Sequence, residues 1–124
     1  GPAGDGRVAG VARADVARVA LEVLKDPVAH RGAVYDLTGP EALTLAEVAA
    51  TISRVSGSEI RYIDESLDEA YESRAGYDVP RWQMDAWVST YTAIAAGELA
   101  AVSPDVERVT GRAPLTFEQL LRGA

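Results

Sequence analysis

The chain lacks cysteine and has only one lysine and one histidine among its 124 residues. Without cysteine there can be no disulfide framework and no thiol chemistry, which fits a reducing compartment, so we expect a cytoplasmic protein. A metal site is not expected, because His30 has no cysteine or second histidine to join it. The sequence also has no Gly-x-Ser-x-Gly elbow, so His30 has no serine nucleophile to activate. We therefore interpret His30 as a solvent-exposed loop residue.

Long apolar runs are also missing. None approaches the roughly 18 residues that a membrane-spanning helix needs, so no membrane partner is expected. A basic surface is missing as well, because the net charge is −7. Nucleic-acid binding depends on basic groups that displace counterions from phosphates, so that class is not expected. The hydrophobic content of 48% and the length favour one folded domain, residues 1–124.

The sequence does contain many signals of helices, both in the spacing of apolar residues and in helix caps. A first helix is predicted over residues 14–25, whose inward stripe consists of Val16, Val19, Ala20, Val23 and Leu24. Capping boxes of a Ser or Thr with a Glu or Gln three residues later begin three more helices. These pairs are Thr44 with Glu47, Ser66 with Glu69, and Thr116 with Gln119; the last helix is expected to bury Phe117, Leu120 and Leu121.

Strand signals are shorter. Residues 7–12, 33–37 and 58–64 are predicted as strands, the second of them buried. The whole chain is thus a mixed, helix-rich α/β protein with about three short strands and five helical segments. So small a sheet leaves its edges open, and we expect these strands to pair with others.

Aromatic residues cluster between positions 71 and 91. Trp87 and Tyr91 are one turn apart on a predicted helix that begins at Pro80, on the same face as Met84 and Val88, and are interpreted as core. Other aromatic residues flank a loop-to-helix junction, where flat ring walls suit a planar ligand. The predicted substrate-binding residues are Tyr77 and Trp82.

Two other patterns imitate binding sites. Residues 4–9 match G-x-G-x-x-A, but no strand precedes them and an extended segment follows, so no dinucleotide site is expected there. The acidic residues near position 68 lack the glycine and alternating carboxylates of a calcium loop, and are interpreted as a solvated helix start. They are Asp64, Glu65, Asp68, Glu69 and Glu72.

Three segments carry a resemblance to a known family. Arg13, Asp15, Val16 and Ala17 form R-x-D-V-A; residues 35–45 read YDLTGPEALTL; residues 110–117 read TGRAPLTF. In this order and spacing they resemble the C-terminal portion of NmrA-like, atypical short-chain dehydrogenase/reductases. The likeness is greatest to the NAD(P)H:quinone oxidoreductase-like members.

The resemblance implies a substrate-side lobe of a Rossmann-type reductase, with the N-terminal dinucleotide-binding half absent. The parent would use NADPH or NADH to reduce a quinone or similar small electrophile, while this chain alone would bind no cofactor and be inactive. A Tyr-x-x-x-Lys pair cannot occur, since Leu21 precedes the single Lys25 by four residues. No catalytic residue is therefore assigned.

Partners follow from the same resemblance. We expect the missing half, or a second copy in a strand-swapped homodimer, together with a small-molecule substrate. The alternative function is a non-catalytic NmrA-like binding or regulatory module that acts through protein partners.

Overall fold

The computed structural model describes residues 1–123, which form six helices and two very short strands. In chain order the elements are β1 (Arg7–Val8), α1 (Arg13–Lys25), β2 (Leu43–Thr44), α2 (Leu45–Ser56), α3 (Leu67–Glu72), α4 (Arg81–Ala95), α5 (Asp105–Thr110) and α6 (Phe117–Leu121). The predicted helix-rich, mixed α/β class is confirmed. The count of about three strands and five helical segments is corrected to two strands and six helices.

The two strands form a single antiparallel pair in which Arg7 lies opposite Thr44 and Val8 opposite Leu43. After β1 the backbone of Ala9 bonds to segments other than β2: its N–H donates to the carbonyl of Leu99, and its carbonyl accepts from Gly39. The strand predicted over residues 7–12 is therefore only two residues long.

The other two predicted strands are wrong: residues 33–37 and 58–64 have no strand structure. Val34 is 87% exposed, so the first of them is not buried. A strand needs a neighbouring backbone to bond to. Within residues 1–123, residues 33–37 have no such neighbour. Residues 58–64 lie beside the N-terminus, where the Gly1 amine donates to the carbonyl of Ile63 at 3.2 Å, but this contact forms no strand ladder.

Helix α1 buries fewer residues than its apolar spacing predicts. Val19 is buried, whereas Val16 is 39% and Leu24 77% exposed. Asp15, which is not part of the predicted inward stripe, is fully buried. The cause is that α1 packs chiefly against the short α5, which covers only part of the predicted stripe.

Two buried aspartates connect distant segments. Asp15 accepts a hydrogen bond from the backbone N–H of Leu115 at 2.8 Å and pairs with Arg18. Asp105 accepts one from the N–H of Asp36 at 3.0 Å. Burial of a carboxylate is costly unless it is paired and hydrogen-bonded, so these contacts keep α1, α5 and the loops near them in place.

All three predicted capping boxes are present. In each, the Ser or Thr side chain accepts a hydrogen bond from the backbone N–H three residues later. The Glu or Gln side chain at that position accepts one from the backbone N–H of the capping residue. Helix α2 then ends at Gly57 and α5 at Gly111, both in the left-handed conformation that glycine adopts without a Cβ clash.

Helix α6 differs from its prediction. Phe117 is half-buried, but Leu120 is 46% and Leu121 38% exposed. Within residues 1–123, α6 packs mainly on α2, and its outer leucines have no cover. None of the helices in these residues has the length and apolar character that crossing a bilayer requires.

Candidate functional site

A cavity of about 610 Å³ lies between the turn that follows α3 and the middle of α4. It is lined by Ser73, Arg74, Tyr77, Trp87, Thr90 and Tyr91. Its volume is in the range of small-molecule sites, and its walls combine flat rings with a few polar groups.

The local sequence explains how the walls are placed. After α3, the backbone continues in tight turns in which Arg74 donates to the carbonyl of Tyr71 and Tyr77 donates to that of Arg74. Tyr77 thereby returns toward α4. Its ring meets the Trp87 ring edge to face, with centroids 5.6 Å apart and planes at 79°. This is a favourable arrangement for two aromatic rings.

A second contact ties α3 to α4 beside the cavity. The Arg81 guanidinium lies 4.2 Å from the centre of the Tyr71 ring, and its Nε donates to Asp85 at 2.8 Å. The Tyr71 hydroxyl donates to the same carboxylate at 2.9 Å. The hydrogen bond from Tyr71, then the one from Arg81, lower the pKa of Asp85. Asp85 is therefore ionised at neutral pH and is no proton donor there.

The structure separates the two predicted site residues. Tyr77 lines the cavity and is 62% exposed, whereas Trp82 is 70% exposed and is not among the lining residues. Trp87 and Tyr91, interpreted from the sequence as core, are only half-buried and form cavity walls.

Sequence reasoning missed Ser73, Arg74 and Thr90 as wall residues. The i, i+3, i+4 spacing of Trp87, Thr90 and Tyr91 places these three on one face of α4, which is a readable signal. Arg74 could not be found in this way, because it lies in a turn whose direction depends on tertiary packing.

The G-x-G-x-x-A segment forms a turn and β1 rather than a strand, turn and helix. A Cβ at Gly6 would lie 2.1 Å from the carbonyl oxygen of Ile94 in α4. The space next to Gly6 is thus filled by protein. The segment does not fit a pyrophosphate cradle, which needs open backbone N–H groups at a helix start.

His30 is placed differently from its prediction. It is half-buried rather than exposed, and its Nδ1 is 2.7 Å from the Tyr35 hydroxyl. The acidic residues near α3 are also not all solvated. Glu69 caps α3, while Glu65 has a side chain only 18% exposed and pairs with Arg74. Within residues 1–123, no three His, Asp or Glu side chains group as a metal site would require.

Comparison with known proteins gives consistent relatives. The chain is 36% identical over 121 residues to an NAD(P)H azoreductase of Xenophilus azovorans, covering 98% of this chain and 42% of that protein. It is 41% identical over 70 residues to quinone oxidoreductase 2 of Escherichia coli, covering 56% of this chain and 23% of that protein. This chain is a relative of NAD(P)H-dependent reductases. No family model matches it.

Solved structures agree with this result. An NADPH-dependent quinone oxidoreductase from Escherichia coli superposes with a TM-score of 0.87 and 28% identity, over 98% of this chain and 44% of that one. A nucleoside-diphosphate-sugar epimerase from Staphylococcus aureus gives 0.86 and 35%, over 98% and 42% respectively. The resemblance to the C-terminal portion of NmrA-like reductases, predicted from the three motifs, is confirmed. The chain spans only about two-fifths of the length of these proteins.

Proposed function

We propose that this chain is the substrate-binding, C-terminal portion of an NAD(P)H-dependent oxidoreductase that reduces a quinone or similar small electrophile. The parent protein would use NADPH or NADH, and this chain alone would be inactive. The observation that carries the proposal is the match of nearly the whole chain to two-fifths of an NAD(P)H azoreductase.

The aromatic cavity supports a role for this chain in binding the electron acceptor. Tyr77, Trp87 and Tyr91 offer ring faces and edges to a planar acceptor. The one glycine-rich segment of the chain does not fit a pyrophosphate, since Ile94 fills the space beside Gly6. Cofactor binding would therefore belong to the parent's N-terminal half, and acceptor binding to this portion.

The unpaired segment 33–37 supports a partner that supplies a strand. Within residues 1–123, the backbone N–H groups of Val34, Tyr35 and Leu37 donate no hydrogen bond. Val34 is exposed, although the segment has the composition of a strand. We propose that this edge pairs with the N-terminal half of the parent, because an open edge is a template for another strand.

A chimera tests the proposal. This chain would replace the matching part of the Xenophilus azovorans azoreductase, and NADPH oxidation would be followed with 2-methyl-1,4-naphthoquinone as acceptor. We expect turnover by the chimera, and neither turnover nor saturable NADPH binding by the isolated chain. Tight NADPH binding by the isolated chain would contradict the proposal. A folded chimera that binds NADPH but reduces no quinone would favour the regulatory alternative.

Variants of the chimera test the proposed pairing of residues 33–37 with the N-terminal half. Val34→Pro removes an N–H that residues 1–123 leave free, so it should disrupt pairing with the N-terminal half. Val34→Ala keeps the N–H and is the matched control. If the isolated chain is a dimer that Val34→Pro dissociates, the partner is a second copy rather than the missing half.

A further inference from the structure

Arg74 is the one cationic side chain among the residues that line the aromatic cavity. Its side chain is only 15% exposed, and its guanidinium carbon lies 5.4 Å from the centre of the Tyr91 ring. An arginine held against a ring has a limited range of orientations, so its remaining N–H groups point in defined directions.

One nitrogen of the guanidinium makes all of its described hydrogen bonds. The two N–H groups of Nη1 are shared among three acceptors: the carbonyl of Ala70 at 2.6 Å, Ser73 Oγ at 2.8 Å and Glu65 Oε2 at 3.2 Å. Within residues 1–123, Nε and Nη2 donate to no protein atom. Neither atom is among the fully buried polar atoms that lack a hydrogen-bond partner. The Nε/Nη2 edge therefore has no protein partner in these residues and is not fully sealed from solvent.

That edge has the geometry of a known type of recognition. Nε and Nη2 present two nearly parallel N–H groups, and this fork binds both oxygens of a carboxylate or similar oxyanion. The carboxylate of Glu65 contacts Nη1 instead, so a second anion can bind without displacing it.

We propose that Arg74 binds an anionic substituent, a sulfonate or carboxylate, of an aromatic electron acceptor that packs against Tyr77, Trp87 and Tyr91. The substrate class is thus narrowed from small electrophiles to aromatic acceptors with a negatively charged group. This inference rests on the proposed function, because it takes the aromatic cavity as the acceptor site. Arg74 is then a specificity-determining residue that touches the substrate away from the reducible group.

Binding to the 124-residue chain tests this directly, because all six lining residues belong to it. Isothermal titration calorimetry without cofactor would compare 1,4-naphthoquinone-2-sulfonate with neutral 2-methyl-1,4-naphthoquinone. We expect the wild-type chain to bind the sulfonate about tenfold more tightly, as a charged hydrogen-bonded pair would produce. Arg74→Gln should remove this preference, so that the variant binds the two quinones with about equal affinity.

Two further variants sharpen the result. Arg74→Lys keeps the charge without the fork, so it should restore the preference only in part. Arg61→Gln is the matched control, since Arg61 is highly exposed, pairs with Glu59 and does not line the cavity. It should bind both quinones as the wild type does.

The outcomes separate this inference from the proposed function. If the wild type binds both quinones equally, or Arg74→Gln weakens both to the same extent, Arg74 does not recognise the anion and only this inference fails. If the wild type binds neither quinone, the cavity is not an acceptor site, and this inference fails together with the substrate-binding role. The wild-type comparison decides even if Arg74→Gln does not fold.

Discussion

At the scale of single residues, close packing accounts for the glycine at position 6, and the binding motif that it matches does not. In the sequence, Gly6 is part of a G-x-G-x-x-A segment that resembles a dinucleotide-binding fingerprint. In the structure its missing side chain is what allows the carbonyl of Ile94 in α4 to approach the backbone just before β1. A glycine selected by close approach and one selected for phosphate binding look the same in a sequence.

The substitution Gly6→Ala should therefore destabilise the chain. Its Cβ would meet backbone atoms of α4, which cannot rotate away, so we expect the free energy of unfolding to fall by about 1–3 kcal/mol. The measurement is urea denaturation followed by circular dichroism. Gly10→Ala is the matched control, because a Cβ there would meet nothing within 4 Å. Equal stabilities of the two variants would contradict the packing role of Gly6.

At the scale of elements, helices were predicted well and strands poorly. A helix makes its backbone hydrogen bonds within itself, and its start is marked by local side chains, so Thr44 with Glu47 was enough to locate α2. A strand depends on a second backbone that can come from anywhere. Residues 33–37 have strand composition but no partner in residues 1–123, and no local pattern could reveal this.

Removal of a capping hydroxyl tests this account of α2. Thr44→Ala loses the side-chain bond to the N–H of Glu47, so the free energy of unfolding should fall by about 1 kcal/mol. Thr51→Ala is the control in the same helix, because among residues 1–123 the Thr51 hydroxyl bonds only to the carbonyl of Glu47. Alanine favours helix, so that variant should keep or slightly raise the thermal stability. A Thr44→Ala variant as stable as wild type would show that β2 and the α6 contact, not the cap, determine where α2 begins.

At the scale of the whole molecule, paired carboxylates connect different elements. Arg54 of α2 donates to Glu118 of α6 at 2.6 Å, and Arg7 of β1 donates to Glu47 of α2 at 2.9 Å. The hydrogen bond from the N–H of Asp36 is the largest influence that lowers the pKa of Asp105. A carboxyl whose pKa is lower in the folded than in the unfolded state stabilises the fold above the unfolded value.

Stability should consequently decrease in acid. The contribution of Asp105 is complete above the unfolded aspartate pKa of about 3.9 and is lost as pH falls through the lower folded value. Asp105→Asn should lower the Tm at pH 7, and its difference from wild type should shrink toward pH 3. Asp5→Asn, at an exposed residue that donates or accepts none of the bonds described in residues 1–123, is the control. A difference that stays constant between pH 7 and pH 3 would contradict the role of the Asp105 charge.

The sequence by itself determined most of the helices, the capping boxes and the relationship to NAD(P)H-dependent reductases, because these depend on residues close together in the chain. It placed Tyr77 near a candidate site through its position at a loop-to-helix junction. Only the tertiary structure decided that Arg74 joins Trp87 and Tyr91 around one cavity, that Asp15 is buried, and that residues 33–37 have no strand partner within residues 1–123. The physical reason is that burial and strand pairing depend on what packs against a segment, and those neighbours lie far away in the sequence.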